Sequence, residues 1–125
     1  MNRRLFLSTT LLLFFSGSWT LGQGLWIYTK AQVAQYLLKQ AWATTLQEHR
    51  PTPPWPWADT WSIAQLLVPR LAVDQIVLAG TSGRTLAFGP GHVSESSQPG
   101  ESGTIIVSGH RDTHFEFLKN LQEHD

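Results

Sequence analysis

The chain opens on a long charge-free block: after Arg3 and Arg4, no side chain in residues 5–29 is charged near neutral pH, and Lys30 follows. As a helix this block would reach about 37 Å at ~1.5 Å per residue, which exceeds a bilayer core of ~30 Å. The basic pair ahead of it places the N-terminus in the cytoplasm, and Trp26 and Tyr28 at its far end suit an interfacial aromatic belt. The pattern predicts a signal-anchor transmembrane helix over residues 1–30, single-pass in the inner (cytoplasmic) membrane, with the remainder extracytoplasmic. A cleaved secretory signal competes with it, given the apolar run over 5–15 and the small Ser16 and Ser18. A twin-arginine export signal at Arg3-Arg4 is a further alternative. Val33, Leu37, Leu38, Ala41, Trp42 and Thr45 keep helical spacing, so a helical extension over 31–50 favours the anchor.

Pro51, Pro53, Pro54 and Pro56 end that helix, because each lacks an N–H and disfavours helical geometry in its predecessor. A Pro/Trp-rich linker over 51–61 follows, with Trp55, Trp57 and Trp61 interleaved among prolines as extended chain packed on a neighbouring surface. From residue 62 the text changes to short apolar runs between turn residues, and 63–68, 73–79 and 104–108 read as strands. Residues 85–88 read as a single helical turn, 94–103 as an exposed loop, and 115–121 as a short amphipathic helix. The fold class expected is mainly β behind a long N-terminal helix.

Composition narrows the function. Lys+Arg and Asp+Glu both number 9, so the net charge is zero and no basic footprint for nucleic acid is present. There is no cysteine among the 125 residues, which excludes disulfides, thiolate metal sites and a thiol nucleophile from within this sequence.

The chemistry concentrates in Ile105-Ile106-Val107-Ser108-Gly109-His110-Arg111-Asp112-Thr113-His114-Phe115, where a buried-type strand delivers ionisable residues directly after a glycine. Gly109 permits close backbone approach, and a histidine at a strand end can present a ring nitrogen to a cleft near neutral pH. His92, Arg111, Asp112 and His114 are candidates to line the same cleft. His110, Asp112 and His114 also alternate, so on a continued strand they would share one face as a possible His/Asp/His zinc set.

In order and spacing, Val68-Pro69-Arg70-Leu71, Leu86-Ala87-Phe88-Gly89-Pro90-Gly91-His92, Gln98-Pro99-Gly100 and the run from Gly103 through Leu118 resemble the first half of a sortase. The Trp55-Pro56-Trp57-Ala58-Asp59-Thr60-Trp61 segment and the expected single N-terminal anchor together resemble most closely the proteobacterial class GN group. The resemblance implies a partial sortase-like β-barrel over 62–125, its N-terminal half, and a cysteine transpeptidase activity. In that family a cysteine thiolate attacks a sorting-signal peptide bond, a histidine protonates the departing amine, an arginine stabilises the oxyanion, and an incoming amine resolves the thioester. Of these groups the resemblance maps only the histidine, onto His110. The Cys and Arg would lie beyond Asp125, so the chain is expected to be truncated and inactive alone, and unstable by itself through its unpaired cut edge. The implied partners are a sorting-signal-bearing protein, an amine acceptor and the membrane, with no cofactor and no metal. A non-catalytic, membrane-tethered peptide-binding domain and the zinc site stand as alternatives.

Overall fold

The computed structural model describes residues 3–125, without the side chains of Arg4, Leu5, Ile27 and Tyr28. The topology charge on Arg4 and the interfacial role of Tyr28 therefore lie outside the described residues. The elements in chain order are α1 (Arg3–Glu48), β1 (Ser62–Val68), a 3-10 turn (Pro69–Leu71), β2 (Val73–Ala79), α2 (Gly83–Leu86), β3 (Gly91–His92), β4 (Val107–Ser108) and a second 3-10 turn (Glu116–Asn120). The contacts divide the chain into two units, Met1–Val33 and Ala34–Asp125.

Two expectations fail here. The fold is not mainly β, because the 46-residue α1 outweighs four strands of 7, 7, 2 and 2 residues. Nor, among the described residues, is any helix long and apolar enough to cross a membrane, which overturns the single-pass anchor and the inner-membrane location read from it. The physical reason is that freedom from charge is not apolarity. Ser8, Thr9, Thr10, Ser16, Ser18, Thr20 and Gln23 dilute the leucines and phenylalanines of this block. Several of these hydroxyls turn back on the helix: Thr10 Oγ1 donates to the Phe6 carbonyl at 2.9 Å and Thr20 Oγ1 to that of Gly17 at 2.9 Å. Within the first unit Lys30 Nζ lies 5.8 Å from the Trp26 ring centroid, a cation–π distance.

In the second unit α1 is amphipathic. Ala34, Leu38 and Ala41, at helical spacing, are buried, and Leu38 joins Ile76 and Leu78 in the core with Trp42 and Phe88 packed around them. Polar contacts at the rim fix this docking: Gln35 Nε2 donates to the Phe88 carbonyl at 2.7 Å, and Lys39 pairs with Asp74 at 2.8 Å. Hydrogen bonds from Gln65 and Lys39 hold the Asp74 carboxyl below its ordinary pKa.

β1 and β2 pair antiparallel from Val68↔Val73 to Ser62↔Leu78, with a register shift between Ser62 and Ala64. The hairpin closes through Pro69–Leu71 and a left-handed Ala72 (φ 53°). After β2 the chain turns at Gly80, Ser82 Oγ caps α2 by accepting from Thr85 N at 3.1 Å, and β3 returns parallel to β2. β4 then adds antiparallel, giving the order β1-β2-β3-β4. The strand expected over 104–108 shortens to Val107–Ser108 because β3, its neighbour, offers a ladder of only two residues; Ile105 and Ile106 stay exposed. Of the linker tryptophans, Trp55 packs edge-on against Phe88 with centroids 5.0 Å apart, while Trp57 is 81% exposed.

Candidate functional site

β4 ends at Ser108, and Gly109 passes the chain into a tight turn that presents His110 to solvent. Two amide donors fold the turn onto the His110 carbonyl: Thr113 N at 3.3 Å and Phe115 N at 3.1 Å. Packing at Gly109 is tight. A Cβ there would stand 3.1 and 3.2 Å from two carbons of the Phe115 ring and 3.3 Å from the His114 Cβ. The predicted value of Gly109, close approach, is thus realised against Phe115.

The same turn brings His114 to His110, with ring centroids 5.8 Å apart and planes tilted by 40°. His114 is half-buried, and its Nδ1 is enclosed with no hydrogen-bond partner. Burial first, and the neighbouring His110 second, lower its pKa. Its backbone is held from β2, where Gln75 Nε2 donates to the His114 carbonyl at 2.8 Å. Gln75 was not a sequence candidate. Its only signal is a polar residue, next to Asp74, in the first half of a strand whose second half is apolar.

Arg111 and Asp112 point to solvent as a neighbouring ion pair at 2.9 Å, with side chains 90% and 80% exposed, so the pair contributes little to stability. The alternation that would have put His110, Asp112 and His114 on one face does not exist, because residues 111–115 are a turn and not a continued strand. Among the described residues no group of three His, Cys, Asp or Glu side chains could hold a metal. Gly109, Arg111, Asp112, Phe115, Glu116, Leu118 and Lys119 line a hollow of about 390 Å³ beside the turn, which mixes apolar and charged side chains.

His92 is separated from this cluster by its environment. It is 2% exposed on β3, and its Nε2 lies 2.9 Å from the Ser97 carbonyl and 3.0 Å from Ser96 Oγ. Ser96 Oγ already donates to the Val93 carbonyl at 2.7 Å, so toward His92 it can only accept. The assignment consistent with both contacts is an Nε2–H tautomer that donates to the loop. His92 is therefore a buried clamp on the 93–106 segment. The helix expected over 115–121 is a 3-10 turn over Glu116–Asn120, whose end is tied to the hairpin corner by Arg70 donating to the Asn120 carbonyl at 2.7 Å and to the Asp125 carboxylate. That guanidinium draws the Asp125 pKa down to about 2. Arg70 is thus occupied structurally.

A sortase-domain family model matches residues 66–125, which include β2, α2, β3, β4 and the His110 turn. Over 60 residues the chain is 37% identical to Sortase D of Bacillus subtilis (strain 168); the match covers 48% of this chain and 30% of that protein. The chain thus spans less than a third of the length of this curated relative. No solved structure matches the chain.

Proposed function

From the match of residues 66–125 to the sortase-domain model, we propose that these residues form part of a sortase-type transpeptidase and supply its acid/base histidine, with His110 in that role. The reaction is acyl transfer: a thiolate opens a peptide bond in a sorting signal, the amine leaves with a proton from His110, and an amine acceptor takes the acyl group. No residue of the 125 provides the thiol. The observation that carries the reading is the placement of His110, exposed just past the end of β4 and beside the hollow that Phe115 lines, inside the matched segment. An exposed ring can reach a leaving amine, which the buried ring of His92 cannot. The sorting-signal-bearing protein and the amine acceptor are the partners this chemistry requires. The Trp/Pro pattern of residues 55–61 supports placing the chain with the class GN group.

A chimera tests the proposal. Residues 66–125 replace the matching segment of Sortase D, and sortase activity is measured with and without His110→Gln. The chimera should be active, and the substitution should lower its rate by about 10²–10⁴-fold, the usual contribution of a positioned acid/base. A folded chimera with no activity, or one indifferent to His110→Gln, refutes the assignment.

A further inference from the structure

We infer that His114 is a positioning residue for His110, and that the two rings form a coupled pair in which His114 stays neutral. The inference deepens the functional reading above and rests on it for the working role of His110. Three geometric facts carry it. The turn that closes on the His110 carbonyl fixes the spacing of the rings, and Phe115 and His114 pack close over Gly109, where an added Cβ would stand 3.1–3.3 Å from them. The spacing of 5.8 Å is short enough for one charge to be felt by the other. Finally, an imidazolium donates from both nitrogens, but the Nδ1 of His114 is enclosed without an acceptor, so protonation would bury an unpaired N–H. Neutral His114, as the Nε2–H tautomer, leaves only an unpaired lone pair there, a smaller penalty than an unpaired N–H on a charged ring. Its own position is locked from the sheet, since Gln75 of β2 donates to its carbonyl at 2.8 Å.

The surrounding charges do not offset the repulsion between the rings. On the same turn Arg111 is paired with Asp112 at 2.9 Å, and on the following 3-10 turn Glu116 is paired with Lys119 at 2.8 Å. From β2 the packed group is neutral Gln75, and the adjacent Asp74 is engaged by Lys39 and Gln65. A neutral ring beside His110 bounds its rotation on the turn side without competing for the departing amine's proton.

Histidine side-chain NMR titration of the full chain tests this directly. In the unsubstituted chain the His114 midpoint should fall below that of a free imidazole, ~6.5, and its curve should be broader than a single-proton curve. In His110→Gln, which alters an exposed side chain, the His114 curve should sharpen and move to higher pH. A His114 curve that is sharp in the parent, or unmoved by the substitution, overturns the inference. In the Sortase D chimera, His114→Gln should reshape the acidic limb of the pH–rate profile, whereas a merely structural role would lower the rate evenly at every pH. The titration uses no substrate, so failure of the coupled pair and failure of the acid/base assignment are read separately.

Discussion

Replacing Gly91 by alanine should do more damage than any other single methyl group added to the sheet. Gly91 is the first residue of β3 and is paired with Leu78 on one side and Ser108 on the other. A Cβ at this position would stand 2.1 Å from the Gly80 carbonyl oxygen, 3.2 Å from the Gly80 carbonyl carbon and 3.3 Å from Leu86 Cδ2. The first contact is with backbone, so no rotamer change relieves it, and β3 must retreat by about 1 Å to reach ordinary contact distance. Retreat strains the hydrogen bonds from Leu78 N to the Pro90 carbonyl, 2.9 Å, and from Gly80 N to the His92 carbonyl, 3.1 Å. Overpacking of this kind costs about 1–3 kcal/mol, and weakening two ladder bonds adds roughly 1–2 kcal/mol. The expected loss is about 2–5 kcal/mol, read as a fall in the urea midpoint with unchanged slope. Gly83→Ala is the control, since nothing lies within 4 Å of its added Cβ, and it should be neutral or stabilising by up to ~1 kcal/mol. Equal midpoints for the two variants would refute the packing argument.

Two further substitutions probe the supports of the site. His92→Ala removes a buried ring and leaves the Ser97 carbonyl without its donor; it should cost about 2–4 kcal/mol and raise amide exchange across residues 93–106, measured by hydrogen–deuterium exchange. Arg70→Ala removes the principal cause of the low Asp125 pKa, so that carboxyl should titrate higher than about 2, approaching its ordinary value, in a carboxyl NMR titration. Because the folded value is depressed, the stabilisation from this pair is fully present above the unfolded carboxylate pKa, ~3.9. It is lost as pH falls toward about 2, and in Arg70→Ala the low-pH loss should shrink.

What the sequence revealed follows the range of the interactions involved. The runs over 63–68 and 73–79 are dense in branched residues and bounded by turn chemistry, and both form strands with nearly those limits. Helical spacing through residues 33–45 also survives, although the buried stripe begins at Ala34 and Val33 is exposed. β3 was invisible because two residues, Gly91 and His92, carry no periodicity, and their parallel pairing is set by β2, 13 positions away at Leu78↔Gly91. The first helix was misread because charge was counted and hydroxyls were not. The placement of His110 just past a strand end was legible from Gly109 and the preceding apolar run. The zinc set was an artefact of extending strand periodicity past Ser108, where the chain has already turned.

His92 within the sheet and His110 just past its last strand are linked through the register of β4. His92 pairs with Val107 across β3 and β4, and its ring holds Ser96 and Ser97 beneath the returning chain. Ser96 Oγ accepts from Ile106 N at 3.1 Å, and Val93 N donates to the Ile106 carbonyl at 2.9 Å. The ring that cannot reach solvent therefore fixes the residue just before β4, and through it the register in which β4 leaves the sheet. Side chains alternate along a strand, so a slip of one residue would reverse the faces of Val107 and Ser108 and redirect Gly109 and His110 with them. With only two paired residues, β4 has little register information of its own. The exposure of His110 thus depends on the burial of His92, and a change at His92 should be felt at His110 without any contact between the two rings.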